Sequence, residues 1–327
     1  MKKLSIIIPV YNGEKFIKRC LDSVLSNKCD KEIIVINDCS SDSSLNILKE
    51  YGNKIVLVDL KENHGVSYAR NLGIKKSSGD FITFVDIDDY IDSNMYSLML
   101  SYIDKYHSDV CVCNYNEIFE DKNITVKSKY NFSFKQLNGD MALKNFLIDN
   151  ISPAIWDKIY SKELIRNMRF DDGLSVGEDF LFCLNVFINC SKVAFVNNEF
   201  YHYVQQNLSV MHTISPKLLQ FKEIINNISI KDYKMLEKNY FDEFSYFKLQ
   251  MITRSIHSIS MLTNKNNKDK GTAFLRKCYN KSDLKNIIKC KYFSKSVKLE
   301  MLILLIFGIR FHLMLMPLYK FIRSKRR

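Results

Sequence analysis

A chain of 327 residues with 46% hydrophobic and 26% charged residues holds material for one large or two modest packed domains, which excludes a disordered or fibrous protein. Gly (10) and Pro (4) are scarce, no repeat is visible, and the net charge of +12 makes a surface suited to nucleotides, nucleic acid or anionic lipid. The nine cysteines are scattered without a C-x-x-C pair, so structural zinc and a disulfide framework are not expected and a reducing compartment is favoured.

The N-terminal run MKKLSIIIPVYNG is too short for a signal-peptide core and reads as a first buried strand over 4–10, closed by Pro9 and the turn Tyr11-Asn12-Gly13. Residues 14–26 follow with Ile17, Cys20, Leu21, Val24 and Leu25 on one helical face. A second strand over 32–37 ends at Asp38. A helix over 42–49 carries Ser41 or Asp42 as a cap, a third strand covers 55–58, and a third helix covers 66–75. Strands alternating with helices mean a parallel, doubly wound α/β sheet, and right-handed crossovers bring Asn12, Asp38, Asn63 and Asp86 to one sheet edge.

The fourth strand, in GDFITFVDIDDY, covers 81–85 and ends abruptly in Asp86, Asp88 and Asp89. Three carboxylates there repel one another unless a cation or donors sit among them. Hard divalent cations take oxygen ligands, and the ligand crevice of an open α/β sheet lies at the strands' carboxyl ends, so a metal–diphosphate site fits. An acidic loop capping the next helix through Asp92 or Ser93 fits the same residues. Further on, the pattern predicts a helix over 93–105 and a strand over 110–113. A hairpin with its turn near 121–123 follows, then a helix over 140–149, a strand over 154–160 and a helix over 177–188. Short strands over 193–196 and 200–204 precede helices from 215 onward, with breaks near 264–270.

Five stretches, SIIIPVYNGEKFIKRCLDSVL, EIIVINDCSSDSS, NHGVSYARNLGI, GDFITFVDIDDY and GEDFLF, stand in an order and spacing that resemble the family-2 glycosyltransferases over roughly the first two-thirds of the chain. The resemblance implies a GT-A fold: a Rossmann-like, mostly parallel sheet with helices on both faces, followed by a C-terminal helical region. It divides the chain into a catalytic domain over 1–212, with a nucleotide-sugar-binding half (1–114) and an acceptor half (115–212), and a helical region over 213–327. It implies an inverting enzyme that moves a sugar from a UDP-sugar to a glycan or lipid-linked acceptor, with Mn²⁺ or Mg²⁺ as cofactor.

The same resemblance carries roles onto single residues. Pro9, Tyr11, Asn12, Glu14, Asp38, Arg70, Asn71, Asp86 and Ile87 bind the nucleotide-sugar. Asp38 resembles the uracil-binding aspartate, as a carboxylate can accept the base N3–H. Asp86 resembles the ribose contact, and Asp88 the metal ligand, with His212 as a further one. Glu178-Asp179 resembles the E-D motif whose aspartate is the catalytic base, near a helix N-terminus. Trp156 and Lys158 resemble the W-x-K segment near the acceptor, and Glu178 belongs to that side too.

Other classes meet the residues less well. A nucleotidyltransferase of sugar phosphates needs a Gly-rich basic loop after the first strand, where this chain has PVYNGEKF. A metal-dependent phosphatase needs its nucleophilic aspartate after the first strand. A basic nucleic-acid-binding protein has only the net charge behind it, so no nucleic-acid partner is expected. The stretch VKLEMLILLIFGIRFHLMLMPL, followed by YKFIRSKRR, is almost wholly apolar and then basic. Its longest uncharged run, 301–309, is too short to span a bilayer, and Arg310 follows directly. A helix lying in an anionic membrane interface is expected, with Lys320, Arg323, Lys325, Arg326 and Arg327 at the headgroups; a helix docked on the protein's own surface fits the same residues. The protein is then cytoplasmic and peripheral on the inner face of the cell membrane.

Overall fold

The structure, a computed structural model, describes residues 2–174, 176–205, 223–261, 289–293 and 298. The elements in chain order begin β1 (Leu4–Val10), α1 (Ile17–Leu25), β2 (Lys31–Asn37), α2 (Ser44–Glu50), β3 (Val56–Asp59), α3 (Val66–Lys76), β4 (Phe81–Phe84), β5 (Tyr90–Ile91) and α4 (Met95–Tyr106). They continue with β6 (Val110–Phe119), β7 (Ile124–Lys127), β8 (Gln136–Asn138), α5 (Gly139–Leu147), β9 (Lys158–Ser161), α6 (Lys162–Ile165), α7 (Glu178–Asn189) and β10 (Lys192–Val204). Three further helices follow: α8 (Glu223–Asn226), α9 (Ile230–Asn239) and α10 (Phe241–Met261).

The sheet runs β3-β2-β1-β4-β9-β6-β10-β5, with β7 on β6 and β8 on β10. β1 is parallel to β2 and β4, and β2 to β3, as expected of a doubly wound sheet. Beyond β4 the sheet is mixed, because β9 enters antiparallel between β4 and β6 while β10 runs parallel to β6. Strand order moves outward from β1 to β3 and then jumps back past β1 to β4. Right-handed crossovers therefore put α1 and α2 on one face and α3 on the other. That reversal makes the C-terminal ends of β1 and β4 the switch point where a crevice opens.

β1 is buried at all seven positions, as befits a central strand covered on both faces. Pro9 costs it no ladder bond. Ile7 O faces β4 and accepts from Val85 N at 3.0 Å, so Pro9, two residues on, turns its missing donor past the last β4 pair. α3 lies close on β1 through Gly73, where a Cβ would stand 2.3 Å from Ile7 Cγ2. Arg70 is one turn earlier on the same face.

Several boundaries differ from the pattern. α1 starts at Ile17 and not at 14, because Glu14 is tied by backbone and side chain to Asp42 and Ser43. The N-cap position of α4 falls at Asn94, with no side-chain capping bond, and not at Asp92 or Ser93; the Asp92 carboxylate turns to His202 Nε2 at 2.9 Å. β9 starts at Lys158 and not at 154, because Lys158 Nζ gathers the carbonyls of Ser152 and Ala154 into a turn. The two short strands expected over 193–204 are one strand, β10, with irregular register between Phe195 and Tyr201.

The chain divides into two compact units. The first is Met1–Phe146, Asn150–Gly173 and Glu178–Gln206, and holds the whole sheet. The second is Leu147–Asp149, Leu174–Gly177 and Asn207–Arg327; its described part holds α8, α9 and α10, with Tyr233 edge-on to Phe244 and Phe244 stacked on Phe247.

Candidate active site

The loop after β1 is bound to the loop after β2. Asn12 takes a left-handed backbone (φ 51°), donates its N–H to Ser40 Oγ at 3.0 Å, and accepts at Oδ1 from Ser41 N at 2.8 Å. Gly13 N donates to Ser44 Oγ at 2.9 Å, and the Glu14 carboxylate accepts from Ser43 N at 2.9 Å. Asn12 and Glu14 thus spend their side chains on holding two loops together. Tyr11 is 54% exposed at the lip. Asp38 is buried, and its two carboxylate oxygens accept from His64 N and Gly65 N, each at 2.8 Å, while Asn63 Nδ2 donates to its carbonyl at 3.0 Å. The expected convergence of Asn12, Asp38 and Asn63 on one edge is present.

Arg70 sits at the centre. Its side chain is 4% exposed; NH1 donates to Asp179 Oδ1 at 2.7 Å and to Glu178 Oε1 at 3.2 Å, and NH2 donates to Asp86 Oδ1 at 3.0 Å. The guanidinium lies over Phe170, which stacks on Phe182 with ring centroids 4.1 Å apart. Burial pulls the guanidinium pKa down, but Asp179, Asp86 and Glu178 outweigh it and hold it above its usual value. Burial pushes the Asp179 carboxyl well above the carboxylate range; Arg70 opposes this, and Glu178 and Asp86 add to it. Asp179 stands in the first turn of α7, after Gly177 at φ 90°, a conformation suited to glycine.

The acidic loop after β4 is anchored at both ends. Tyr201 takes the Asp86 N–H at 3.2 Å and donates to Asp89 Oδ2 at 2.6 Å; Val204 N donates to Asp89 Oδ1 at 2.8 Å. Asp89 is fully buried, and burial, then Asp88 and Asp86, push its carboxyl well up. Asp89 is therefore a bolt to β10. Asp88 differs: it makes no ion pair among the described residues, and burial followed by repulsion from Asp86 pushes its carboxyl up to about 6. The Ile87 side chain packs over Gly13, where a Cβ would stand 3.2 Å away, joining this loop to the β1 loop.

Three expected binding residues are turned inward instead. Asn71 pairs its amide with the backbone of Phe170, donating to O at 2.9 Å and accepting from N at 2.8 Å, so it staples Phe170 beneath Arg70 and does not face a nucleotide. Lys158 is fully buried with all three donors used, on Ser152 O, Ala154 O and Asp157 Oδ1, so it presents nothing to an acceptor. Trp156 is 6% exposed and stacks on Tyr201 with centroids 4.1 Å apart, which makes it the backing of Tyr201 and not an open sugar platform. His212 lies outside the described residues. Pattern reading missed Arg19, Phe170 and Tyr201 as parts of the site, since their partners are 69, 100 and 115 residues away (Asp88, Arg70 and Asp86).

Among the described residues no three His, Cys, Asp or Glu side chains cluster to hold an ion. A cation held with its substrate needs fewer: Mg²⁺ keeps one or two carboxylates and takes substrate phosphates. Asp88, a carboxylate at the sheet's switch-point edge that no ion pair among the described residues engages, fits that donor set.

Residues 5–164 match the model of "Glycosyl transferase family 2". The chain is 30% identical over 264 residues to the cholesterol galactosyltransferase of Borreliella burgdorferi, covering 75% of this chain and 74% of that one. It is 34% identical over 216 residues to the glycosyltransferase GlyA of Streptococcus pneumoniae, covering 62% of this chain but only 30% of that longer protein. Among solved structures, residues 1–349 of S. aureus TarS in complex with UDP-GlcNAc superpose with a TM-score of 0.73 at 20% identity, covering 97% of this chain and 91% of that one, a likeness of fold.

Proposed function

The chain belongs to glycosyl transferase family 2, and from that premise we propose that it moves a sugar, with inversion at the anomeric carbon, from a UDP-sugar to a hydroxyl of a glycan or lipid-linked saccharide in cell-surface polysaccharide synthesis. The observation that carries the reading is the meeting of Asp86, from the end of β4, and Asp179, from the start of α7, on one buried guanidinium. A donor-side acid and a base candidate thus stand at the switch-point edge of the sheet.

The uracil edge is read by Asp38, whose oxygens each keep acceptor capacity beyond the backbone N–H they hold. Asp86 takes the ribose, while Pro9, Tyr11 and Ile87 frame the nucleotide. A divalent cation, Mn²⁺ or Mg²⁺, held at Asp88 would offset charge building on the departing diphosphate. Asp179 accepts the proton of the acceptor hydroxyl as that oxygen bonds to the anomeric carbon and the bond to the diphosphate breaks on the opposite face. One displacement inverts the centre, by the logic of an inverting glycosidase whose carboxylate activates water. Its raised pKa strengthens Asp179 as a base, and the Arg70 pair aims it and favours the ionised form.

Among the described residues no helix is long and apolar enough to cross a membrane. The apolar and basic stretch over 297–327 lies outside the described residues, apart from Lys298. In this reading it holds the enzyme peripherally on the cytoplasmic face, beside lipid-linked acceptor. The test is Asp179→Asn: transfer from UDP-sugar to acceptor should fall ~10²–10⁴-fold with UDP affinity nearly unchanged, and NMR of the wild-type product should show the inverted anomer. Near-normal transfer by the variant, or a retained anomer, refutes the mechanism.

A further inference from the structure

The acidic loop is held at its ends and also at its middle, from a residue the mechanism does not use. Asp86 and Asp89 are gripped through Tyr201 and Val204. The peptide between them is held from α1, where Arg19 NH2 donates to the Asp88 carbonyl at 2.6 Å. The same guanidinium lies over the Tyr90 ring, 5.2 Å from its centroid, so it grips the loop on both sides of the Asp88–Asp89 bond. Tyr90 in turn stacks on His202, with centroids 4.5 Å apart and an interplanar angle of 16°. The other end of the fork, NH1, pairs with Glu120 in the short turn between β6 and β7. The arrangement joins α1, the acidic loop and the β6–β7 hairpin through a single side chain. A planar fork is suited to this: its donors diverge in a fixed geometry toward a carbonyl and a carboxylate at once, which a lysine ammonium cannot reproduce.

We propose that Arg19 is a positioning residue for the cation-binding carboxylate: by fixing the Asp88 peptide it sets the direction of the Asp88 side chain, and Glu120 of the β6–β7 hairpin holds Arg19 in that pose. The inference rests on the reading of Asp88 as the residue that holds a divalent cation with the donor diphosphate. Without Arg19 the loop keeps its end anchors, Asp86 and Asp89, but the peptide between them loses its hydrogen bond. Asp88 then samples orientations of which only a fraction suits the cation, and apparent affinity falls by that fraction.

The test is calorimetric titration of Mn²⁺ into the full chain saturated with UDP, beside UDP titrated in the presence of chelator. The variants are Arg19→Met, Arg19→Lys, Glu120→Gln and Arg19→Met with Glu120→Gln. The expected result is about tenfold weaker Mn²⁺ binding in Arg19→Met, little recovery in Arg19→Lys, a smaller loss in Glu120→Gln, and no further loss in the double variant. UDP affinity under chelation should stay at the wild-type value in all four. A purely structural role would weaken UDP with and without metal alike, and that outcome overturns the proposal. So does unchanged Mn²⁺ affinity in Arg19→Met, or losses that add in the double variant. Should Arg19→Met fail to fold, Glu120→Gln, changed at a half-exposed carboxylate, carries the same comparison. Absence of any Mn²⁺ effect in the wild-type protein overturns the reading of Asp88 as cation ligand and this inference with it, whereas a wild-type effect unmoved by the variants overturns this inference alone.

Discussion

Replacing Arg70 by Gln isolates the charge at the centre of the site. The guanidinium is 4% exposed and bonded to three carboxylates, whose side chains are 27% (Asp86), 13% (Glu178) and 27% (Asp179) exposed. Removing one partner of a buried ionic group costs about 3–5 kcal/mol, and the partial exposure of the acids points to the lower end, about 3 kcal/mol near pH 8. Burial, with Glu178 and Asp86, already holds the Asp179 carboxyl above its ordinary range while Arg70 pulls it down. A carboxyl whose folded pKa exceeds its unfolded value costs no stability below the unfolded pKa, and a growing amount as pH rises through the folded one. Loss of Arg70 raises the folded pKa further, so the extra cost is greatest at high pH. Urea unfolding of wild type and variant at pH 8 and pH 5.5 should therefore show a destabilisation of about 3 kcal/mol that shrinks by about 1 kcal/mol or more at the lower pH. An equal destabilisation at both pH values would mean that lost packing over Phe170, and not the three carboxylates, accounts for it.

Asp88→Ala should abolish metal-dependent UDP binding, as chelator should in the wild type; activity that survives both would show that the acidic loop holds no cation. Glu32 accepts from Ser5 Oγ, Ser78 N and Ser78 Oγ, and these bonds outweigh its burial and hold its carboxyl down at about 2. Against an ordinary value of about 4.3 this contributes ~3 kcal/mol, present above pH ~4.3 and lost as pH falls toward 2. Glu32→Gln should thus flatten the acid limb of stability between pH 5 and 2, and an unchanged limb in urea unfolding would refute that role. Full-length protein should bind anionic vesicles, less at high salt, and shortening the chain after Lys295 should abolish this while leaving UDP binding; equal vesicle binding by the shortened protein would reject residues 297–327 as the anchor.

The sequence by itself determined the parallel half of the sheet and the acids at its edge. Patterns such as SIIIPV and EIIVIN are local: an apolar run with turn residues after it makes a buried strand whatever lies elsewhere, and right-handed crossovers then bring the strand ends together. Asp38, Asp86 and Asp88 were legible for that reason, and Asp179 because a Gly-Glu-Asp start to an apolar helix is also local. Tertiary structure alone decided what those side chains touch. Arg70 reads from sequence as a residue beside the nucleotide; folding puts it under three carboxylates, two of them more than a hundred residues away. Asn71 and Lys158 carry groups that suit a ligand, yet Phe170 O and Asp172 take the Asn71 amide donors and a buried turn takes all three of Lys158's. The insertion of β9 between β4 and β6 was likewise invisible, because an apolar run marks a strand without naming the two strands it lies between. A polar side chain inside a fold must find a partner, and whether that partner is a substrate or the chain's own backbone is settled by distances that exist only after folding.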